Sequence, residues 1–132
     1  MRDAAMRIRL DPRYSVLTVA WLAAIYWLSS RTELGTSDSQ PLVAFVSNLL
    51  HVPLFAGVTY CLLKSVSGEA RIPSSVYAIV FAVATGYAAL DEWHQSFVAG
   101  RFASVGDFLL DVTGIVAVIL FLRFRAGRET DS

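Results

Sequence analysis

Five consecutive residues, Asp91-Glu92-Trp93-His94-Gln95, place two carboxyl groups, an imidazole and an amide within little more than one helical turn. Gly100-Arg101 follows, and then Asp107 and Asp111. An imidazole oriented by a carboxylate can move a proton. A guanidinium among acids can clamp one of them or grip an anion. Helix positions three or four apart share a face. Asp91 has that relation to His94 and Gln95, with Glu92 on the adjacent edge, and Asp107 has it to Asp111. An earlier pair, Asn48 and His51, has it too. Pro53 cannot donate to the carbonyl of Leu49, so a kink and a free acceptor are expected beside His51.

These groups stand at the edges of long apolar runs, where ionisable side chains are costly and mark functional sites by default. Of the 132 residues, 55% are hydrophobic and 17% charged, with a mean hydropathy of +0.54. That is too apolar for a small water-soluble domain. The apolar residues gather into blocks at 14–30, 42–63, 72–90 and 105–124. Each block is close to the roughly 20 residues that a helix needs to cross a bilayer. The connections at 31–41, 64–71 and 91–104 are short, which makes consecutive helices antiparallel neighbours. The expected fold is all-α, a compact four-helix transmembrane bundle forming a single domain over 1–132. Basic residues precede the first block, as in a signal peptide. No Ala-x-Ala cleavage site follows Ser30, however, and Trp21, Tyr26 and Trp27 are bulky, so a retained transmembrane helix is expected.

Orientation follows from the basic residues. Arg2, Arg7, Arg9, Arg13, Lys64, Arg71, Arg123, Arg125 and Arg128 fall on one side, against Arg31 and Arg101 on the other. Basic residues near span ends stay cytoplasmic. Both termini and the middle connection are therefore expected inside, in a multi-pass protein of the cytoplasmic membrane. Asn48, His51, Asp91, Glu92, His94, Gln95, Arg101, Asp107 and Asp111 then fall in the outer leaflet or on the outer face, and Asn48, His51, Asp91, His94, Arg101, Asp107 and Asp111 are expected to converge on one site. The formal net charge is zero, which gives nucleic acid no field to follow. Cys61 has no partner for an internal disulfide and reads as a small hydrophobe in an apolar block.

Each group also has a plainer role. His51 can be satisfied by an interhelical hydrogen bond, and Asp107 can complement the helix dipole. Asp111, about 6 Å deeper by helix rise, needs a partner. Gly114, three residues on, lets a neighbouring helix come close. The acids and histidines include enough ligands for a metal ion. There is no His-Glu-x-x-His and no cysteine pair, so neither a metal nor another cofactor is expected. No Gly-x-Ser-x-Gly elbow supports a serine nucleophile. Arg101, with four acids in reach, is expected mainly to clamp one carboxylate, with some ligand contact.

The run Asp91-Glu92-x-His94-Gln95-x-Phe97-x-x-Gly100-Arg101-x-x-Ser104-x-x-Asp107 resembles the signature of the VanZ-like family of bacterial membrane proteins. Ser29-Ser30 at the end of the first span and His51 early in the second are similar to that family as well. Two positions depart: Ala99 stands where the family usually has proline, and Asp111 where asparagine is usual. The resemblance implies a cell-envelope protein, and the family's founding member is associated with lowered susceptibility to the glycopeptide teicoplanin.

Three functions are open on this reading. In the first, Asn48, His51, Gln95, Arg101, Asp107 and Asp111 bind an anionic lipid or lipid-linked wall intermediate. In the second, a membrane-embedded enzyme uses His94 as general acid or base, oriented by Asp91 or Glu92. In the third, a proton-coupled transporter uses Asp111 and His51. Four spans would have to form a homo-oligomer to enclose a transport path. The bilayer is the partner common to all three.

Overall fold

The computed structural model describes residues 10–31, 41–67, 72–101 and 103–128. They form four helices: α1 Pro12–Ser29, α2 Pro41–Ser67, α3 Ser74–Gln95 and α4 Val105–Arg128. Among the described residues there is no strand.

Local chemistry explains the helix ends. Asp11 caps α1 by accepting from the Arg13 amide at 2.9 Å, with Pro12 in the first turn. Ser104 Oγ accepts from the Gly106 amide at 3.1 Å and caps α4 in the same way. α2 continues as one helix through Pro53. α3 runs one turn past the apolar block to Gln95. That extra turn carries Asp91, Glu92 and His94, so a helix and not a loop positions them.

α2 is the central element and packs on α1, α3 and α4, whereas α1 makes no contact with α4 among the described residues. Consecutive helices are antiparallel. One end of the bundle therefore joins the C-termini of α1 and α3 to the N-termini of α2 and α4; this is the polar end. At the opposite end the Asp11 amide donates to the Ser65 carbonyl at 2.8 Å. There Arg123 also lies 5.6 Å from the centre of the Tyr77 ring. Two apolar clusters fill the interior. Ile25, Phe55, Val58, Ala84, Ala88 and Ile115 form the one nearer the polar end. Leu63, Val76, Tyr77 and Val80 form the other.

Three helical segments, Val46–Ser67, Ser74–Gln95 and Val105–Arg128, are long and apolar enough to cross a membrane. α1 is shorter and carries Arg13, Ser15 and Thr18 in its first half. It nonetheless reaches from Ser65 at one end of the bundle to Asp91 at the other, so it runs alongside the rest over the same depth. Val16, Val19, Ile79, Val83, Leu120 and Phe124 are each more than half exposed. Such an outer surface suits hydrocarbon and not water. Thr18, Thr59, Ser67 and Thr113 each bond the carbonyl four residues before. Their hydroxyls are satisfied within their own helices and add nothing to a site.

α2 and α4 approach most closely at Gly114, where an added Cβ would collide with the Val52 carbonyl oxygen on α2. The obstacle is backbone and cannot rotate away. Gly114→Val is therefore expected to lower stability by about 1–3 kcal/mol, the usual range for overpacking. Thermal unfolding in detergent reads this directly. A variant as stable as the parent would show that the two helices can separate freely at this point.

Candidate functional site

The last turn of α3 directs its polar side chains to three different neighbours. Asp91 is buried, and its Oδ2 accepts from Ser29 Oγ at 2.9 Å and from Gln95 Nε2 at 2.8 Å. This carboxylate ties the end of α1 to the end of α3. His94 lies about 60° round the helix from Asp91. Its Nε2 is 3.0 Å from Ser30 Oγ, and its ring stacks on Tyr26 with centroids 4.7 Å apart. Asp91, His94 and Gln95 therefore do not act as one edge: Asp91 and Gln95 turn inward together, and His94 packs onto α1. Among the described residues no hydrogen bond joins His94 to Asp91 or Glu92, the two groups expected to orient it.

Glu92, about 100° from Asp91, faces α4. Its Oε2 accepts from the Ser104 amide at 2.8 Å, which closes the α3–α4 hairpin. Its Oε1 is buried without a partner. Asp111 is completely buried. Its Oδ1 is 2.7 Å from Nδ1 of buried His51, whereas its Oδ2 has no partner. One ligand atom each from His51, Glu92 and Asp111 lies within 4.8 Å of the other two. The plain expectation for His51, an interhelical hydrogen bond, is met. The bond also brings two carboxylates and an imidazole into one buried group, a placement that no spacing in the sequence announced.

Gly100 adopts φ 77°, a backbone conformation that favours glycine, and so turns the chain back over the polar end. Arg101 follows it. Arg101, Ser29, Ser47, His51 and Asp91 line a cavity of about 30 Å³, walled below by Ile25, Leu54 and Phe55. That is room for a water molecule or two, or for the tip of a ligand. Arg101 Nε is buried without a hydrogen-bond partner. Among the described residues no carboxylate lies within 4.0 Å of its guanidinium. The expected clamp is therefore not formed. The acids already have other partners: Asp91 has Ser29 and Gln95, Glu92 has the Ser104 amide, and Asp111 has His51.

Two expected members stand apart. Asn48 is exposed and does not line the cavity. It is about 60° round α2 from His51, whereas Ser47 is only about 40° away and takes the inward position. Asp107 is half-buried in the first turn of α4, where its charge complements the helix dipole. Ser47, four residues before His51, has the spacing for the inward face it takes, whereas Ser29, Ser30, Ser104 and Tyr26 make contacts that spacing alone did not assign. Ser29, Ser30 and Ser104 were visible only as landmarks of the family resemblance. A serine at a helix end has too many ordinary roles to signal one.

A family model described as VanZ/LLP1 matches residues 3–126. No curated protein and no solved structure gives a match. The match covers nearly the whole chain, and the protein belongs to the VanZ/LLP1 family.

Proposed function

We propose that this member of the VanZ/LLP1 family is a multi-pass protein of the cytoplasmic membrane that binds an anionic headgroup at its polar end, carried by a lipid or a lipid-linked envelope intermediate. One observation carries the reading: Arg101 borders a small polar cavity with a buried, unpartnered Nε and, among the described residues, no carboxylate in ion-pair reach. A cation drawn out of water is usually paired. Half-buried Arg101, with no carboxylate partner among the described residues and beside four serine, histidine and carboxylate side chains, is suited to a ligand that supplies the charge. A guanidinium fits phosphate or carboxylate with two parallel hydrogen bonds. A groove of about 320 Å³ lined by Ala89, Glu92, Ala103, Ser104, Val105 and Phe108 lies on the α3–α4 side. Its mainly apolar lining suits part of an acyl chain. Teicoplanin susceptibility belongs to this reading as a phenotype to score, since that antibiotic acts on wall precursors at the outer surface.

The orientation is part of the same proposal. The basic residues at the end opposite Arg101 favour a cytoplasmic position for that end and an outward polar end. In a Cys61→Ser background, a cysteine at Gly100 is expected to react with an impermeant thiol reagent in intact cells, and one at Gly127 is not. The reverse pattern would invert the topology.

The binding reading is tested with purified protein and vesicles of phosphatidylcholine with or without phosphatidylglycerol. Native mass spectrometry after detergent extraction should retain phosphatidylglycerol and not phosphatidylcholine. Equal retention of the two would remove the anionic headgroup from the proposal.

A further inference from the structure

We infer that His51, Glu92 and Asp111 form a binding site for a divalent transition-metal ion such as Zn²⁺ or Mn²⁺. The inference does not depend on the headgroup reading. Three observations meet in it. First, the ligand atoms come from three helices, α2, α3 and α4, and lie within 4.8 Å of one another. Zinc bonds nitrogen and oxygen at about 2.0–2.2 Å, so tetrahedral ligands stand roughly 3.4 Å apart. Side-chain rotations of about an ångström or less close the group onto an ion. Second, both carboxylates offer an oxygen that is buried and unpartnered, Glu92 Oε1 and Asp111 Oδ2. Glu92 is 8% exposed and Asp111 0%. Buried acceptors of this kind are normally satisfied, and each one that is not needs a reason. A metal ion provides the same reason for both.

The third observation is charge. Asp91, Glu92 and Asp111 are all buried at this end of the bundle, and among the described residues Arg101 is the only arginine or lysine lining its cavity. Half-buried Asp107 stands one turn above Asp111 on α4 and adds no positive charge. His94 is directed to Ser30 on α1. With His51 neutral, as a metal ligand must be, three ionised carboxylates against one guanidinium leave two negative charges, which a divalent ion would offset in place of protons. One imidazole and two carboxylates suit zinc or manganese better than calcium or magnesium, whose sites are built from oxygen. Three protein ligands leave coordination positions open, the pattern of metal sites that also bind a substrate or water. Glu92 lines the groove on the α3–α4 side, so the group is not sealed from outside the bundle. The ion would also relieve a difficulty in the headgroup reading, because uncompensated carboxylates repel a phosphate and a metal ion attracts it.

The test uses the full chain in detergent, treated with chelator, then incubated with Zn²⁺ or Mn²⁺ and desalted. The expected result is about one ion per chain by elemental mass spectrometry, together with a higher Tm. Glu92→Gln and Asp111→Asn should weaken retention by more than the roughly 10–100-fold that loss of an outer-sphere partner causes. Asp11→Asn, at the far end of the bundle, should retain the ion like the parent. Co²⁺ bound to the unaltered protein should show visible d–d absorption, which decides the question even where a variant does not fold. No retained Zn²⁺ or Mn²⁺ and no Co²⁺ absorption in the parent protein would overturn the site. Retention by both variants equal to that of the parent would overturn it too. In either case the carboxylates must be neutralised by protons instead.

Discussion

Replacement of His51 by alanine is expected to destabilise the chelator-treated protein by about 3–5 kcal/mol, the range for breaking a buried charged pair from one side. The reason is what remains behind. Asp111 has no exposed surface, its Oδ1 bonds only His51 Nδ1, and its Oδ2 bonds nothing. Without the imidazole the carboxylate keeps its place between α2 and α4 with no partner at all. It cannot swing to water, because Gly114 holds α4 against the backbone of α2 one turn below. The empty ring volume next to the Arg101 cavity adds a packing loss in the same direction.

Asp111→Asn separates charge from hydrogen bonding. The amide oxygen can still accept from His51 Nδ1–H, and no buried charge is left to strand. Its expected cost is about 1 kcal/mol or less, the net value of one ordinary hydrogen bond. The double variant His51→Ala/Asp111→Asn should then recover much of the stability lost in His51→Ala alone. Residues in direct contact are where such coupling is large. Thermal unfolding of the four proteins in one detergent gives the cycle. Additive effects would mean that the pair carries no stranded charge, and the argument from burial would fail. The comparison also bears on the metal site, since Asp111→Asn should spare the fold and lose the ion.

Much of the architecture was legible because a bilayer imposes a coarse rule. Apolar blocks of about 20 residues read as helices whatever their detailed packing, and the four helices extend the expected blocks by a few residues at most ends. The α3 extension through Gln95 was permitted by the helical spacing of the polar residues but not required by it, and the expected connection began at 91. The site was less legible. Spacing within one helix defines a face, but it does not say which neighbour that face meets. Asp91, Glu92 and His94 occupy consecutive sectors of one turn and are directed to α1, α4 and α1 again by way of three different partners. The Glu92–Asp111–His51 group needs residues 41 and 60 positions from His51, and only the packing of α2 against both α3 and α4 brings them together. Asn48 and Ser47 show the same limit at the smallest scale. Both have permitted spacings to His51, but they lie on opposite sides of it, about 100° apart round the helix, and only the packing of α2 decides which side lines the cavity.

Arg101→Ala is expected to leave the fold nearly intact and to weaken retention of an anionic lipid roughly tenfold to a hundredfold. The second figure corresponds to the roughly 1.5–3 kcal/mol carried by hydrogen bonds to a charged group. The first follows from the absence of a carboxylate within ion-pair distance among the described residues. A guanidinium with no carboxylate partner among the described residues strands no paired acid when it is removed, so a stability change below about 1 kcal/mol is expected, far from that of His51→Ala. Some loss remains, because Arg101 offsets the field of three nearby buried acids. Arg101→Lys distinguishes a charge from a fork. Lysine restores the positive charge but presents one compact ammonium where arginine presents parallel donors. If a phosphate or carboxylate is gripped by two bonds, lysine should recover stability and only part of the retention. Measuring Tm and phosphatidylglycerol retention on the same preparations gives both axes. An Arg101→Ala protein as unstable as His51→Ala, rescued fully by lysine, would identify a structural charge and return Arg101 to the clamp that its acidic neighbourhood first suggested.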